Sequence, residues 1–491
     1  MGISPRAMIR KRHAGARAYE AGKGGRLGSW GMTSLSADAE LRGSLRVLRS
    51  KSRHLAENND YFKHFLRLLK IHVVGPQGIR LQSKAVDAAG KPSRQDRRKI
   101  QGAWKRFNKK GVFDVTGKLS GRDASKLYVE TLAKDGEVLV HLVEGFDNDF
   151  GFAVRFLQAD HLDERLNGKA PNGNQIRLGV EYDKLDRPVA YWLFRDHPGD
   201  MGLSGYSITQ KYQRIPAEEI IHEYLVESPR QGRGVPTAHT ACQRMESLDK
   251  FEEAALVNAR TAASKMGFYI HRSGVVEPGE GEFLGDFEDE EGDFIDEVEP
   301  GVLQQLPAGW DFKEWNPQFP NGDLDPFIKA LIRGTASGLG VSYHSLANDL
   351  EGVSFSSIRQ GTLEARDVWR DLQGFVIESF LDRVFSVWLR NALIRDRVEG
   401  LQIWEIERLL AALWRARGWD WVDPLKDQMA NERALKARTK SFTKVLAEQG
   451  EDLEEHLETL QEEERLFDSY GLDLKTILEG GAKNASKQPA T

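Results

Sequence analysis

The spacing of apolar positions changes several times along the chain. Apolar residues recur every three or four positions in 37–53, in 55–72 and most strongly in 362–393, which predicts helices there. Between 136 and 195 the pattern changes to short β-type runs separated by Gly, Asn, Asp and Pro, which is typical of strands joined by turns. These runs are GEVLVHLV, FAVRFLQ, IRLGVEYD and PVAYWLFR. The pattern therefore predicts a chain that combines helices and strands.

The remaining elements follow from the same kind of pattern. A Gly/Pro turn in VVGPQG is predicted to end the helix over 55–72. Short strands are predicted at MGFYIHR, VLQQLPAG and DFKEWN, and a polar, Ser-rich connection over 343–357. Further helices are predicted over 93–108, 237–264 and 326–339 and, as a set of three charged helices, over 424–479.

Length and composition indicate a folded protein with several modules. The chain of 491 residues exceeds the ~250–300 residues at which single cores stop growing. The single cysteine, Cys242, excludes an intrachain disulfide and suits a reducing cytoplasm. No run of ~18 apolar residues is present, so we expect no membrane span, and the basic, Gly-rich first thirty residues lack the apolar core of a secretory signal. We expect a soluble protein that is intracellular when made.

Charge is distributed unevenly. Residues 1–53 contain 12 Lys and Arg against 3 Asp and Glu, whereas 277–299 contains 12 Asp and Glu and no Lys or Arg. The net charge of the whole chain is −5, so the rest is nearly neutral. A protein that binds duplex DNA tightly normally has a basic face, because neutralising phosphates dominates its affinity. We therefore expect any contact of this chain with DNA to be weak.

Motifs for nucleotide and metal chemistry are missing. The Gly-rich stretches GKGGRLG, GEGEFLG and GTASGLG fit neither G-x-x-x-x-G-K-[ST] nor G-x-G-x-x-G. His222 begins a partial zinc-protease motif that lacks its second histidine, so a hydrogen-bonded structural role is expected for it. A calcium loop centred on Gly292 would have Phe287 and Val298 at its first and last positions, where acidic ligands are needed. We expect no cofactor and no metal ion.

Short motifs occur in a fixed order from about residue 30 to 475. They are SAD-x-x-LR at 36–42, LRSKSRHLAENND, VVGPQGI, GVEYDKLDRPVAYWL, RIPAEEIIHEY, SPRQGRGVP at 228–236, GLGVSYHSLANDLEGVSFSSIRQ at 338–360 and GWDWVDPLKDQ at 418–428. Together they resemble the portal proteins of lambda-like tailed bacteriophages and prophages. The sequence differs from the usual family pattern Asn-Tyr-Ser-Ser at 354–357, where it has Ser-Phe-Ser-Ser.

The resemblance implies an α+β portal-type subunit with a mixed α/β wing, a two-helix stem, a small strand-containing clip and a helical C-terminal crown. Such subunits form a ring, usually of twelve copies, through whose axial channel DNA enters and leaves the viral head. The implied segments are a flexible basic N-terminal arm 1–35, wing 36–236, stem helix 237–265, clip with acidic insertion 266–320, stem helix 321–339, tunnel loop 340–361, long helix and wing 362–422, and crown with C-terminal tail 423–491.

The resemblance also implies which residues face DNA and partners. Candidates for the DNA channel are Arg333, Tyr343, His344, Ser354, Ser356, Ser357 and Arg359. The two arginines are candidate phosphate contacts, with salt bridges between subunits as the equally open alternative. Candidates for docking a basic partner at the clip are Glu288, Asp289, Glu290, Glu291 and Asp293, with a plain solvated surface as the alternative.

The expected partners follow from the same resemblance. They are further copies of the chain in a ring, the large subunit of terminase, head–tail adaptor proteins, capsid or scaffold proteins, and double-stranded DNA passing without sequence specificity. No membrane partner is expected, and the protein is placed at the head vertex of the virion and in the bacterial host cytoplasm during assembly. One alternative is another head–tail connector or minor capsid component. A second is a DNA-processing enzyme acting through carboxylates outside any recognisable motif, for which Mg²⁺-dependent DNA cleavage would be the evidence.

Overall fold

The computed structural model describes residues 35–200, 211–263, 267–271, 310–314, 324–352, 354–419 and 424–472. Helices in these ranges are α1 (Ala37–Asn58), α2 (Asp60–Leu69), α3 (Arg94–Phe107), α4 (Gly121–Asp135), α5 (Cys242–Ala263), α6 (Leu324–Leu339), α7 (Tyr343–Ala347), α8 (Phe355–Val376), α9 (Asp382–Ile394), α10 (Ile406–Leu409), α11 (Pro424–Lys436), α12 (Phe442–Glu448) and α13 (Leu453–Ser469). Strands are β1 (Arg80–Ser83), β2 (Glu137–Glu144), β3 (Phe152–Leu157), β4 (Gly168–Lys169), β5 (Gln175–Arg177), β6 (Val180–Tyr182), β7 (Pro188–Phe194), β8 (Tyr212–Pro216), β9 (Ile220–Tyr224), β10 (Gly267–His271), β11 (Trp310–Glu314) and β12 (Ala412–Arg415). The predicted mixture of helices and strands is confirmed.

The two N-terminal helices are delimited by side-chain caps. The Ser36 hydroxyl caps α1, and Asn59 both follows α1 and caps α2, where its Oδ1 accepts the Phe62 amide at 2.9 Å. Such caps satisfy amides that have no partner in the first turn of a helix. Helix α2 continues into a π-helical turn, Lys70–Val74, which ends at Gly75 with φ of 79°. The predicted stop at the Gly/Pro turn is confirmed.

Two antiparallel sheets form the strand-rich part of the molecule. The strand order is β3-β2-β9 in one and β4-β5-β6-β7-β8 in the other. In the first sheet the buried Val140 of β2 lies opposite Phe156 of β3 and Ile221 of β9. The run IRLGVEYD forms two strands instead of the predicted one. Leu178 and Gly179 both have positive φ, at 48° and 86°, and so make a tight turn between β5 and β6.

Helix α4 is not among the predicted elements, although the sequence contains local signals for it. Ser120 caps its start by accepting the Asp123 amide, and Gly136 ends it in the left-handed conformation at φ of 84°. Its buried apolar residues follow helical spacing and are Ala124, Tyr128, Val129, Leu132 and Ala133.

The long helix predicted over 362–393 is confirmed and begins earlier, at Phe355. Helices α8 and α9 continue one another through a π-helical turn, Ile377–Leu381. At this turn the hydroxyls of Tyr128 and Ser379 lie 2.8 Å apart, and the Tyr128 ring stacks on Phe380 with centroids 4.7 Å apart. The turn therefore joins the long helix to α4.

Aromatic side chains fill the core between α3, α9 and β12. The Trp104 ring lies 4.9 Å from Trp388, 5.6 Å from Phe385 and 5.8 Å from Trp414, measured between centroids. Edge contacts of this kind add about 0.5–1.5 kcal/mol each beyond the burial of their surface. Strand β12 pairs with β1, with Trp414 opposite Leu81, so the core joins N-terminal and C-terminal parts of the chain.

Helices α5 and α6 confirm the two long helices predicted around the clip. A Cβ placed on Gly338 would lie 3.0 Å from the Thr240 hydroxyl, so α6 packs closely against the 3₁₀ turn Thr237–Thr240 before α5. Strands β10 and β11 confirm MGFYIHR and the first part of DFKEWN, whereas VLQQLPAG lies outside the described residues. Helix α3 is confirmed. The three predicted C-terminal helices are also confirmed, and the last of them ends at Ser469.

Candidate nucleic-acid interface

The segment between α6 and α8 contains one short helix and two turns. Helix α6 ends before Gly340, which has φ of 70°, and Ser342 caps α7 by accepting a backbone amide of its first turn at 3.3 Å. Asn348 ends α7 in the left-handed conformation at φ of 52°. The polar connection predicted over 343–357 is therefore shorter than expected, because α7 occupies its first part and α8 starts at Phe355.

This connection is held to α6 by charged side chains of the same chain. Lys329 Nζ lies 2.9 Å from the carboxylate of Asp325 and 3.0 Å from that of Glu351. Hydrogen bonds to these two carboxylates raise the pKa of Lys329 above its ordinary value. The Tyr343 hydroxyl donates to Asp349 Oδ2 at 2.7 Å, and this bond lowers the pKa of the Asp349 carboxyl. Glu351 thus ties the connection to α6, and the Tyr343 to Asp349 bond ties α7 to the turn that follows it.

Three of the predicted channel residues are brought together here. The exposed Arg333 guanidinium lies over the Tyr343 ring, 5.1 Å from its centroid, which is a cation–π contact. Burial and the hydrogen bond to Asp349 raise the pKa of Tyr343 to about 12, so its hydroxyl stays protonated at neutral pH. His344 Nδ1 lies 2.9 Å from the Asp349 carbonyl oxygen, to which it donates.

The other predicted channel residues have different surroundings. Arg359 Nη2 forms an ion pair at 3.1 Å with Asp427 of α11 in the same chain. Ser354 is exposed in the connection before α8. Ser356 and Ser357 lie in the first turn of α8, which corrects their predicted place in a loop, and their side chains are outside the described part of the structure.

The acidic docking candidates of the clip are not part of the described structure. Glu288, Asp289, Glu290, Glu291 and Asp293 all lie in the interval 272–309, outside the described residues. Of the segment predicted to form the clip, the structure describes β10 and β11, which pair antiparallel with Gly267 opposite Glu314. The docking role of the acidic residues stays a prediction.

A buried charge cluster lies away from the predicted site. Glu137 of β2 accepts hydrogen bonds from Arg49 of α1 at 2.5 Å and from Arg233 at 2.9 Å. Burial opposes ionisation of Glu137, but the two guanidinium groups outweigh it and hold the pKa of the carboxyl well below its usual value. His222 Nε2 lies 3.2 Å from Glu137, and burial lowers the pKa of this imidazole, which fits the predicted hydrogen-bonded structural histidine.

The sequence contained one signal for this cluster. Glu137 stands at the start of a largely apolar strand run, and Arg233 lies in the motif SPRQGRGVP. A charge in such a position is seldom buried unless it is paired. What the sequence did not show is that Arg49, on a helix far away along the chain, completes the cluster.

Neither a metal cluster nor a membrane-spanning helix occurs in the described ranges. No group of three or more His, Cys, Asp or Glu side chains in these ranges is placed to hold a metal ion. No helix in them is both long enough and apolar enough to cross a bilayer.

Comparison with known proteins places the chain in a family. A sequence model described as "Phage portal protein, lambda family" matches residues 23–373. The chain is 36% identical over 472 residues to a "Probable portal protein" of Halomonas phage phiHAP-1, covering 95% of this chain and 90% of that relative. It is 24% identical to "Portal protein B" of Escherichia phage lambda, covering 91% of this chain and 88% of the relative.

Among solved structures, the chain is similar to one described as "Neck of empty GTA particle computed with C6 symmetry". The TM-score is 0.46 at 13% sequence identity, and the match covers 83% of this chain and 93% of the other.

Proposed function

Because the chain belongs to the lambda family of phage portal proteins, we propose that it is the structural subunit of a closed homo-oligomeric ring that conducts double-stranded DNA. The ring forms the axial channel for DNA packaging and ejection at the head vertex of a tailed phage or prophage. In this role the protein is structural rather than catalytic, and energy for packaging comes from a separate terminase.

The observation that carries the ring is the apolar surface left exposed on the C-terminal helices. Leu425 of α11 and Phe442 of α12 are each 66% exposed, and Tyr470, which follows α13, is 75% exposed. Helices α12 and α13 contact each other, and α13 also exposes Leu457 and Leu460, so these two helices present apolar surface that favours packing against another protein. In a cyclic ring each subunit offers two different surfaces to its two neighbours. We infer that α11, α12 and α13 pack against adjacent copies.

The described part of the tunnel loop supports passage of DNA without sequence-specific contact. His344 and Ser354 of this loop provide two hydrogen-bonding groups, and Arg333 of α6, which lies over Tyr343, provides one cation beside them. Such groups bind phosphate oxygens and do not by themselves distinguish bases. Since few cations are concentrated there, duplex DNA is held weakly and can slide.

Partners of the ring are proposed from charge. The acidic interval 277–299 separates β10 from β11, and we propose that it docks basic surfaces of the terminase large subunit and later of head–tail adaptors. The basic residues 1–35 are proposed to contact capsid or scaffold proteins. On this proposal the subunit is made in the host cytoplasm and becomes part of the virion.

Electron microscopy of the purified full chain tests the proposal. Class averages viewed along the symmetry axis should show closed rings with a central hole wide enough for duplex DNA. A chain that stays monomeric or dimeric across salt and protein concentration would overturn the ring. Mg²⁺-dependent cleavage of duplex DNA by the same preparation would instead favour an enzyme.

A further inference from the structure

A cavity of about 570 Å³ lies where the C-terminal helices meet the N-terminal half of the chain. Its walls come from β1, α3, the first turn of α4 and the start of α13. Seven cationic side chains line it, namely Arg80, Arg94, Arg97, Arg98, Lys105, Arg122 and Arg415. The carboxylates that line it are those of Asp452, Glu454 and Glu458. The cavity therefore has an excess of positive charge, which is unusual in a chain whose net charge is −5.

The three carboxylates are already engaged with particular cations. Glu458 accepts hydrogen bonds from both Arg94 and Arg98, the latter at 2.6 Å. Glu454 pairs with Arg97 at 3.1 Å. Two guanidinium groups thus share the single carboxylate of Glu458, so part of their charge remains uncompensated.

Asp452 is engaged in the same way. It lies 3.5 Å from Arg415 Nη2 and accepts a hydrogen bond from the buried Gln82. Arg415 Nε is buried and has no hydrogen-bond partner within the described structure. A buried donor without a partner has lost its hydration without replacement, so its charge adds to the positive potential on this side of the cavity.

Within the described residues, Lys105 of α3 and Arg122 pair with none of the three cavity carboxylates. Arg122 donates to the Pro76 carbonyl at 3.2 Å and pairs at 3.4 Å with Asp123, which does not line the cavity. Arg122 belongs to the first turn of α4, a helix of 15 residues whose N-terminal end also lines the cavity. The aligned peptide dipoles place partial positive charge at this end. The cationic side chains and the positive end of α4 both favour an anionic ligand.

We propose that this cavity binds phosphate groups. Guanidinium groups present planar pairs of N–H donors that match phosphate oxygens, and a helix N-terminus adds further positive potential. The phosphate belongs either to a soluble phosphate compound or to the backbone of DNA. The Glu458 carboxylate already pairs with Arg94 and Arg98, so it competes with an incoming phosphate for these two side chains.

Pyrophosphate is the first probe, titrated calorimetrically into the full-length protein at low ionic strength. The double variant Lys105→Gln with Arg122→Gln should bind pyrophosphate at least about tenfold more weakly, because two charge-assisted hydrogen bonds are removed. Neither residue pairs with α13, so docking of that helix should survive. The matched control is Lys109→Gln with Lys110→Gln, which removes the same charge from exposed positions outside the cavity and should leave affinity unchanged.

A third variant tests the competition between Glu458 and phosphate, and its expected effect on affinity is opposite to that of the first double variant. Glu458→Gln removes a negative charge from the cavity and should tighten pyrophosphate binding several-fold. Equal weakening by both double variants, or weaker binding in Glu458→Gln, would overturn the proposal, since the effect would then be one of net charge or of disrupted structure. Ring formation measured on every variant keeps this result separate from the function proposed above.

A short DNA duplex, titrated into the same proteins, identifies the source of the phosphate. If the duplex loses affinity in Lys105→Gln with Arg122→Gln but not in the control, the cavity binds the DNA backbone. If only pyrophosphate responds, its ligand is a soluble phosphate compound. If neither ligand binds the wild type more tightly than it binds Lys105→Gln with Arg122→Gln, the cavity is not a phosphate site.

Discussion

Both carboxylate oxygens of Glu137 accept hydrogen bonds from Arg233 Nε, at 3.0 and 2.9 Å, and both side chains are fully buried. Arg233 Nη1 also donates to the carbonyl oxygens of Leu162 and Leu178. The arginine therefore connects β2 to two turns of the strand-rich part, while Arg49 adds α1 to the same carboxylate. Burying charged side chains away from water costs free energy. Such a cluster therefore stabilises the fold only when every member is present.

Glu137→Gln should lower the free energy of unfolding by about 3–5 kcal/mol, because two buried guanidinium groups lose their counter-charge. Urea unfolding followed by tryptophan fluorescence measures this. Glu144→Gln is the control on the same strand, where the exposed pair with Arg390 at 2.6 Å should contribute less than about 1 kcal/mol. Equal costs for the two variants would contradict the proposed importance of burial.

The interaction of Glu137 with its arginines predicts that the protein becomes less stable in acid. The pKa of Glu137 is held well below its ordinary value of 4.5, so the unfolded chain takes up the proton first as the pH falls. The stability contributed by Glu137 is complete above about pH 5 and decreases below it. Glu137→Gln should lack this component, and its stability should change less than that of the wild type between pH 5 and pH 3.5.

Much of the fold was predictable because its elements carry local signals. The helix over 362–393 has apolar positions at spacings of three and four, and the strands of 136–195 are short runs bounded by turn residues. Helix α4 also has a cap, a C-terminal glycine and helical spacing, so its omission is an error of interpretation. The split of IRLGVEYD depends on one turn with two positive φ values, which its Leu-Gly dipeptide indicates only weakly.

The candidate site was less predictable because its contacts join distant parts of the sequence. The sequence placed Arg359 beside a loop, but only the fold brings Asp427 of α11 within ion-pair distance. The same holds for Arg49 and Glu137, and for the cavity between α3 and α13. Long-range pairing of charges has no periodic signature, whereas the Tyr343 to Asp349 contact is local and could have been proposed from the short polar segment.

The close approach of Gly136 and Gly234 predicts a strong effect of a single methyl group. A Cβ on Gly234 would lie 2.0 Å from the Gly136 carbonyl oxygen and 2.6 Å from Tyr224 Cβ. Backbone atoms cannot move aside easily, so Gly234→Ala should lower the unfolding free energy by about 1–3 kcal/mol or more. Gly43→Ala in α1, where nothing lies within 4 Å, should instead raise it by about 0.5–1 kcal/mol. Urea unfolding of both variants tests these opposite signs.

His72 should make the protein less stable in weak acid. Its ring stacks on Trp369 at 5.4 Å, and its Nδ1 accepts a hydrogen bond from Trp419 Nε1 at 3.1 Å. Burial, followed by the nearby Arg417 and Arg366, lowers the pKa of His72 to about 4 from its ordinary value of 6.5. The unfolded chain therefore binds the proton first, and stability decreases as the pH falls from about 6.5 towards about 4.

The variant His72→Phe keeps a ring for stacking and removes the titrating group. Its unfolding free energy should be lower than that of the wild type at pH 7, and should change less between pH 7 and pH 5. His54→Gln, at an exposed position on α1, serves as the control and should follow the wild type. A wild type and His72→Phe with the same pH dependence would show that His72 does not contribute.

The two arginines of the candidate interface should respond differently to removal. Arg359 pairs with Asp427 at 3.1 Å, with side chains 34% and 27% exposed, so this bond contributes no more than about 1 kcal/mol. Arg359→Ala should therefore loosen α11, measured as faster amide exchange there, while affinity of assembled rings for duplex DNA stays unchanged. A matching decrease in DNA affinity would return Arg359 to the set of phosphate-binding candidates.

Arg333 lies exposed over Tyr343 and has no carboxylate partner within ion-pair distance among the described residues, so it remains the cation available for phosphate. Arg333→Ala should weaken binding of duplex DNA to assembled rings and reduce the slope of log affinity against log salt, by about 0.9 for each phosphate that is no longer neutralised. Arg333→Lys keeps both the charge and a cation over the Tyr343 ring, so it should restore most of the slope. If the alanine variant binds DNA with an unchanged slope, the Arg333 side chain does not reach phosphate; if lysine fails to restore it, the defect lies in the conformation of the loop.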